Sequence, residues 1–291
     1  MKRTLMLACL AAVLLPLASC NKSNDPQKVK TPVTPAAFTQ YAQKLEIKDK
    51  DNDLAIESIE FTEAGRYLIA SRVITKANDN EELVYTSGTY QVNGNTYTLN
   101  GFGTVVINGS QVTITPEGES PVTVEATSVA PQETTELTTS ICKVWKVDKV
   151  DVNISGGEIK ESAAGVMLTT CNLYQIVNQL NSNYGQNIDP EPVKGMVVKC
   201  ISITRQGTLI IEFTDSQFQP IVAEYELSGN SFEYEFAGTQ EGNAVFNSHA
   251  KGSVNPKSDG SLWLEITATV ESDGKNYQGT VTFVMTEYQG A

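Results

Sequence analysis

The feature that most constrains this chain is an alternation of apolar and polar residues with a period of two. Successive side chains of a β-strand point to opposite faces, so this period indicates strands with one buried face. The alternating residues are Ile59, Phe61, Tyr67, Ile69, Tyr90, Val92, Tyr97, Leu99, Val112, Ile114, Val122 and Val124, then Leu209, Ile211, Phe213, Phe232, Tyr234, Phe236, Leu262, Leu264, Ile266, Val270, Tyr277, Val281, Phe283 and Met285. Closely spaced strands joined by Gly/Asn turns predict a mainly β fold of antiparallel sandwiches or barrels.

The alternation occurs in two copies. Residues 88–103 (GTYQVNGNTYTLNGFG) align with residues 223–238 (AEYELSGNSFEYEFAG), and upstream residues 59–65 align with 201–207. The identical pairs in the longer alignment are Tyr90/Tyr225, Gly94/Gly229, Asn95/Asn230 and Gly103/Gly238. Two copies are too few for a solenoid, so we predict two related β-domains.

Two segments have helical spacing instead, which predicts one short helix in each domain. The first segment has an N-cap residue at Thr34, proline at the first helical position, and an apolar stripe. Its stripe is Phe38, Tyr41, Ala42 and Leu45, and that of the second segment, over about residues 170–181, is Leu173, Ile176, Val177 and Leu180. A Ser/Thr-rich run around Pro131 marks the domain boundary. We therefore expect an N-terminal β-domain at 34–128, a linker at 129–139 and a C-terminal β-domain at 140–291.

The first 19 residues have the organisation of a secretion signal. Lys2 and Arg3 precede an apolar run that is too short to span a bilayer. The run ends in Leu17-Ala18-Ser19-Cys20, which resembles the lipobox of bacterial lipoproteins. The resemblance implies cleavage before Cys20, diacylation of its thiol and acylation of its new amino group. Several acyl chains are what stable membrane anchoring requires.

Cleavage would leave residues 20–33 as a polar tether. Asn21 follows the lipidated cysteine, whereas Asp there usually retains such proteins in the inner membrane. We therefore expect the outer membrane, with the periplasmic and surface faces both open. Loss of Lys2 and Arg3 leaves 19 basic against 34 acidic residues, a net charge of −15. This acidity argues against a nucleic-acid partner.

The C-terminal half resembles the lipocalin-like domains common in Bacteroidetes lipoproteins. The resemblance covers residues 142–288 and rests on an opening strand with Val144, Trp145 and Val147, a glycine-turn hairpin, and a Tyr-x-Leu-x-Gly-Asn motif. The chain departs from true lipocalins because it lacks their Gly-x-Trp signature and inserts a helix before Gly195. The resemblance implies a β-barrel that binds a small ligand.

Four glutamates are expected on one hairpin. With Gly229-Asn230 as a two-residue turn, Glu226 should face Glu233, and Glu224 should face Glu235. Tyr225 should face Tyr234 on the opposite side of the hairpin. Facing like charges destabilise a sheet. The carboxylates could hold Ca²⁺ or form an acid/base pair. We favour a solvated acidic face with lysines on an adjacent strand.

A second acidic segment, residues 49–60, has the carboxylate spacing of an EF-hand loop. Its sixth position is Leu54, where the loop requires glycine, and a strand is predicted to follow it. We interpret the segment as a polar turn.

The remaining reactive residues are few. Cys142, Cys171 and Cys200 permit one disulfide whose pairing the spacing does not determine. His249 is the only histidine, and its surroundings resemble no protease signature. Neither a Gly-x-Ser-x-Gly motif nor a phosphate-binding loop is present. We therefore do not expect an enzyme.

Aromatic residues are the remaining candidates for ligand contact: Trp145, Tyr225, Tyr234 and Trp263. Trp263 shares its strand face with Glu265, Thr267 and Thr269, so it is either an exposed platform or covered by the helix near Cys171, which we favour. We expect a non-catalytic module that binds a glycan or small apolar ligand. The alternatives are a structural component that binds an envelope protein in a cell-surface assembly, and a carboxylate-based hydrolase.

Overall fold

The computed structural model describes residues 39–49, 52–75, 80–156, 164–185, 189–215, 217–235, 240–241, 244–245, 249–272 and 275–288. The described chain forms two compact units. The N-terminal unit contains residues 39–133 with 204–206, and the C-terminal unit contains 134–203 and 207–288. The predicted fold class, mainly β with two antiparallel barrel-like sheets, is confirmed. No helix within the described ranges is long and apolar enough to cross a membrane.

The N-terminal unit is an eight-stranded closed barrel, called here the N-terminal barrel. Its strands are β1 (Gln43–Ile47), β2 (Ile56–Phe61), β3 (Arg66–Thr75), β4 (Asn80–Asn93), β5 (Thr96–Leu99), β6 (Gly103–Asn108), β7 (Gln111–Pro116) and β8 (Val122–Val129). Each strand pairs with the next in the chain, and β1 pairs with β8. The barrel therefore has up-and-down topology, with every seam closed by backbone hydrogen bonds.

Aromatic side chains fill the N-terminal barrel. The ring of Phe61 lies 4.2 Å from that of Tyr97 and 5.1 Å from that of Tyr90, measured between centroids. All three are buried, and the Tyr90 hydroxyl donates to the Thr62 carbonyl at 3.0 Å. Burial of such a side chain stabilises a fold by roughly 1.5–3 kcal/mol.

The prediction of a helix near the start of this unit is wrong at Leu45. Residues 34–38 of that prediction lie outside the described residues, and Thr39–Tyr41 form one 3-10 turn. Leu45 lies in β1, opposite Ile59 on one side and Ser128 on the other. Leu45 and Ile47 are buried while Glu46 is exposed. Residues 45–47 therefore follow the two-residue alternation of a strand. Pairing with β2 on one side and β8 on the other stabilises this strand.

The C-terminal unit has twelve described strands and two helices. The strands are β9 (Val144–Gly156), β10 (Val166–Leu168), β11 (Val198–Ile203), β12 (Thr208–Phe213), β13 (Ile221–Glu224), β14 (Glu226–Ser228), β15 (Ser231–Glu235), β16 (Gln240–Glu241), β17 (Ala244–Val245), β18 (His249–Pro256), β19 (Leu262–Ser272) and β20 (Lys275–Glu287). The helices are α1 (Glu136–Ile141) and α2 (Leu173–Tyr184), with a 3-10 turn at Glu191–Val193. Helix α1 occupies part of the predicted linker, and its Ile141 is fully buried.

The main sheet of this unit closes on itself, because its two end strands are adjacent in the chain. Its strand order runs β13-β12-β11-β9-β20-β19-β18-β15-β14. The two end strands, β13 and β14, are separated in the chain only by Tyr225. Counted as one bent strand, they close an eight-stranded ring in chain order, called here the C-terminal barrel. Both units therefore have the same up-and-down topology.

Matching backbone contacts support the predicted duplication. Tyr90 N donates to Gly65 O at 2.9 Å, and Tyr225 N donates to Gly207 O at 2.8 Å. Gly94 and Gly229 open the two equivalent hairpin turns with φ of 63° and 60°. Glycine is favoured there because a Cβ is strained in this left-handed region.

The C-terminal barrel has a split seam between β9 and β11. The described ladder joins these strands only at Val144↔Ser202 and Trp145↔Ile201, and further along β9 pairs with β10. Helix α2 contributes four buried residues to the barrel core: Leu173, Ile176, Val177 and Leu180. These are the residues of the predicted stripe, although the helix ends three residues later than predicted, before Gly185.

Candidate functional site

Trp263 lies on the outer surface of β19. Its neighbours Leu262 and Leu264 are buried in the core, and 43% of Trp263 is exposed. The expectation that the helix near Cys171 covers this side chain is therefore wrong. Alternation along β19 places Leu262 and Leu264 inside, so the intervening indole points outward. An exposed tryptophan provides a flat apolar surface with a polar N–H at its edge.

Polar side chains surround Trp263 on three adjacent strands. Asn255 and Val284 are its cross-strand neighbours, and Asn255 Nδ2 donates to Ser253 Oγ at 3.0 Å. Together these exposed or half-buried residues form what we call the Trp263 face: Trp263, Glu265 and Thr267 of β19, Ser253 and Asn255 of β18, and Thr280, Thr282 and Val284 of β20. The face presents one indole beside hydroxyl, amide and carboxylate groups, which can donate to and accept from a polyhydroxylated ligand.

A lysine accompanies the indole. Lys257, in the turn between β18 and β19, places Nζ 4.8 Å from the centroid of the Trp263 ring. This is within the range of a cation–π interaction. Sequence reasoning missed Lys257. The available signal was its position in the Pro256–Ser261 turn, which returns the chain to Trp263.

The turn itself is fixed by hydrogen bonds. Lys257 N donates to Ser261 O at 2.8 Å, and Gly260 N donates to Lys257 O at 3.0 Å. Asp259 Oδ1 accepts from Ser261 N at 2.9 Å and from Ser261 Oγ at 2.7 Å. The hydrogen bond from the Ser261 side chain is the main cause that lowers the pKa of Asp259. The backbones of Lys257 and Trp263 are thus held together by one short hairpin.

The other predicted aromatic contacts differ from Trp263. Trp145 is only 2% exposed and donates from Nε1 to Ile141 O at 2.8 Å. Tyr225 is buried, and its hydroxyl lies 3.8 Å from Cys142 Sγ. Tyr234 lies opposite Ala250 in the sheet, and its side chain is outside the described part of the structure. Of the three described side chains, only Trp263 reaches solvent.

The glutamate hairpin forms in the predicted register at its centre. Glu226 lies opposite Glu233, and Leu227 lies opposite Phe232. Glu233 also lies opposite Lys251 of β18, so a lysine is present on the adjacent strand as we favoured. Cross-strand opposite charges reduce the cost of facing carboxylates.

The outer pair of glutamates is arranged differently from the inner pair. Glu224 belongs to β13, opposite Thr208, while Glu235 lies opposite His249. Glu224 and Glu226 are exposed, whereas the side chains of Glu233 and Glu235 are outside the described part. Among the described side chains, no three acidic, histidine or cysteine groups are arranged to hold a metal ion. The Ca²⁺ site stays a prediction.

The acidic segment 49–60 is organised by Asn52. Its buried side chain donates from Nδ2 to Asp49 O at 2.7 Å and to Ile56 O at 2.8 Å, and accepts from Leu54 N at 3.2 Å. Glu60, the twelfth position of the supposed loop, is buried on β2. These contacts describe a turn between β1 and β2, in agreement with our interpretation.

The three described cysteines are buried and form no disulfide with one another: Cys142, Cys171 and Cys200. Burial raises the pKa of the Cys171 thiol to about 12. Cys200 Sγ donates to Glu212 Oε2 at 3.1 Å. A thiol kept protonated is a poor nucleophile, so Cys171 suits a packing role.

Comparisons with known proteins give structural neighbours only. No protein-family model and no curated protein matches the chain. One solved neighbour is a Bacteroides fragilis protein provisionally described as an outer membrane protein, with 10% identity and a TM-score of 0.25, covering 84% of this chain and 95% of that one. Another is a mutant of the vaccine antigen transferrin binding protein B from Haemophilus parasuis, with 11% identity and a TM-score of 0.26, covering 85% of this chain and 59% of that one. The fold assignment itself rests on the strand order described above.

Proposed function

We propose that this protein is a lipid-anchored outer-membrane protein that binds glycans, without catalysis, on the Trp263 face. The observation that carries the proposal is the exposed indole of Trp263 on a mainly polar sheet surface. A large exposed aromatic at the centre of a polar patch is typical of a binding hot spot.

The chemistry of the face suits a sugar. The apolar face of a sugar ring can pack flat against the indole, while the ring hydroxyls bond to groups such as Asn255 and Glu265. The Thr267 and Thr280 hydroxyls lie 3.2 Å apart and are already bonded to each other, so they add a fixed polar edge. Rigid strands hold all of these groups, which reduces the entropy lost on binding.

The barrel interior is a weaker candidate than the outer face. In the N-terminal barrel, Phe61, Tyr90 and Tyr97 fill the interior with contacting rings. In the C-terminal barrel, helix α2 places four apolar side chains into the core. A small apolar ligand would have to displace these buried groups, whereas a glycan on the Trp263 face displaces water and at most shifts the exposed Lys257 side chain.

Tryptophan fluorescence of the full chain tests the proposal, since the chain has only two tryptophans. Titration with a glycan panel should change the emission of exposed Trp263 and leave that of buried Trp145 unchanged. Trp263→Ala should weaken binding by about 30-fold, the effect of a hot-spot tryptophan. Thr113→Ala, on the outer face of β7, is the matched control and should bind as wild type. An unresponsive wild-type chain, or equal binding by Trp263→Ala, would overturn the proposal.

The anchor is tested separately. Cys20→Ala should move the protein from the membrane fraction to the soluble fraction and abolish incorporation of labelled palmitate. Separation of the inner and outer membranes then tests the expectation from Asn21. Retention of Cys20→Ala in the membrane would contradict lipid anchoring at this residue.

A further inference from the structure

Lys257 differs in its contacts from five other described lysines. These five form ion pairs with carboxylates at 2.8–3.3 Å: Lys48–Glu125, Lys143–Glu287, Lys146–Asp148, Lys149–Asp151 and Lys194–Glu191. Lys257 contacts the Trp263 ring instead. The Asp259 carboxylate, two residues further along the same turn, interacts with Lys257 electrostatically, but its hydrogen bonds are accepted from Ser261. In a chain with a surplus of acidic residues, its ammonium remains available to an anion.

Charged side chains lie on both sides of Trp263 along β19. Lys257 lies at the turn end of the strand. Glu265 lies two residues beyond Trp263 on the same face, about 7 Å away along the strand. The indole therefore lies between the turn, which holds the Lys257 ammonium and the Asp259 carboxylate, and the exposed carboxylate of Glu265.

We infer that the ligand of the Trp263 face is an acidic glycan, whose carboxylate or sulfate group bonds to Lys257 while its sugar ring packs on the indole. The inference rests on the proposed function and specifies its ligand class. The anionic group lies toward the turn, and uncharged hydroxyls lie toward Glu265. This orientation matches both charges at once, whereas the reverse orientation places two anions together.

The net charge of the protein does not oppose this inference. At physiological ionic strength, charges on an exposed surface are screened beyond about 8 Å, so distant carboxylates contribute little at the face. The Lys257 ammonium can contact the ligand directly. An ammonium that packs on an aromatic ring still has N–H groups that can donate hydrogen bonds to an oxyanion. Direct contact with the Lys257 ammonium therefore determines the preference for an anion, and the Asp259 carboxylate in the same turn reduces it.

Binding of matched glycans to the full chain tests the inference. One pair is polygalacturonate and its methyl ester, and the other is dextran sulfate and dextran. The first pair tests a carboxylate, and the second tests a sulfate. The wild type should bind one charged polymer about fivefold more tightly than its neutral partner, the contribution of one exposed ion pair. Added salt should remove this preference.

Two variants assign the preference to its residues. Lys257→Met keeps an apolar side chain over the indole but removes the charge, so it should bind both members of a pair equally. Glu265→Gln should bind the charged polymer more tightly than wild type, because it removes the nearby anion. Equal binding within both pairs by wild type, or a preference that survives in Lys257→Met, overturns the inference but leaves the proposed function standing. Failure to bind any glycan of the earlier panel, neutral or charged, overturns both.

Discussion

The two barrels have the same strand order but differ between their first and second strands. In the N-terminal barrel, β1 pairs with β2 over four residue pairs, and β1 also pairs with β8. In the C-terminal barrel, a long ladder joins the last strand β20 to β9, but β9 and β11 separate after two described pairs, and α2 packs into the core. Ladder hydrogen bonds join the first two strands of the N-terminal barrel, whereas apolar packing of a helix supports the same position in the C-terminal barrel. The comparison shows that one topology can accept a large insertion if the inserted segment contains a helix, such as α2, whose apolar side chains are buried in the barrel core.

The outer surfaces also differ at the seventh strand of each barrel. The outward residues of β7 are Gln111, Thr113 and Thr115, whereas those of β19 include Trp263 and Glu265. The inward residues of both strands are apolar and buried, as the shared fold requires. The proposed site would lie on only one copy of the repeated fold, which fits the general separation of fold from function.

The largest expected effect comes from the aromatic interior of the N-terminal barrel. Phe61→Ala removes a fully buried ring that packs on two others, so it should lower the free energy of unfolding by about 3–5 kcal/mol. Chemical denaturation followed by circular dichroism measures the change. Glu46→Ala, on the exposed face of β1, is the control and should stay within about 0.5 kcal/mol of wild type. A loss below 1 kcal/mol for Phe61→Ala would show that this interior is not close-packed.

The second prediction tests whether α2 is part of the C-terminal barrel core. Leu180→Ala should cost about 2–5 kcal/mol because the side chain is fully buried. Gln179→Ala, on the exposed face of the same helix, should have little effect on the melting curve. If both variants unfold like wild type, the split seam does not depend on the helix, and the contrast between the barrels fails.

The third prediction treats the equivalent hairpin turns as a pair. Gly94→Ala and Gly229→Ala each force a side chain into left-handed backbone, so each should cost about 1 kcal/mol. Equal losses are expected because both added Cβ atoms point into open space. Thermal unfolding of the two variants gives the comparison, and a large loss for only one of them would argue against equivalent turns.

The smallest effect concerns pH and the thiol of Cys171. Its raised pKa means that the folded chain keeps a proton that the unfolded chain loses above about pH 9. Stability should therefore fall as pH rises, by about 0.8 kcal/mol between pH 8 and 9.5 for this group. Urea denaturation at both pH values, with Cys171→Ala as the variant that lacks this contribution, measures it. An identical pH dependence in the variant would assign the effect elsewhere.

Sequence patterns predicted the strands and hairpin turns of the barrels better than the features that depend on long-range contacts. Period-two alternation gave most strands, and the Gly-Asn dipeptides gave both hairpin turns, because each signal is local. The helix predicted at Leu45 failed because pairing of β1 with two neighbours is a long-range effect. The exposure of Trp263 could not be predicted, since its strand pattern shows which way the indole points but not whether another element covers it. The contact with Lys257 depends on a turn conformation that composition alone does not specify.

The central claim is that Trp263 is the main contact for a glycan. Isothermal titration of the full chain with the best-binding acidic glycan, in wild type and in Trp263→Ala, tests it most directly. We predict a loss of at least about 2 kcal/mol in binding free energy, with an unchanged unfolding curve. Equal affinity of the two proteins, or no heat of binding for any glycan with wild type, would contradict the claim.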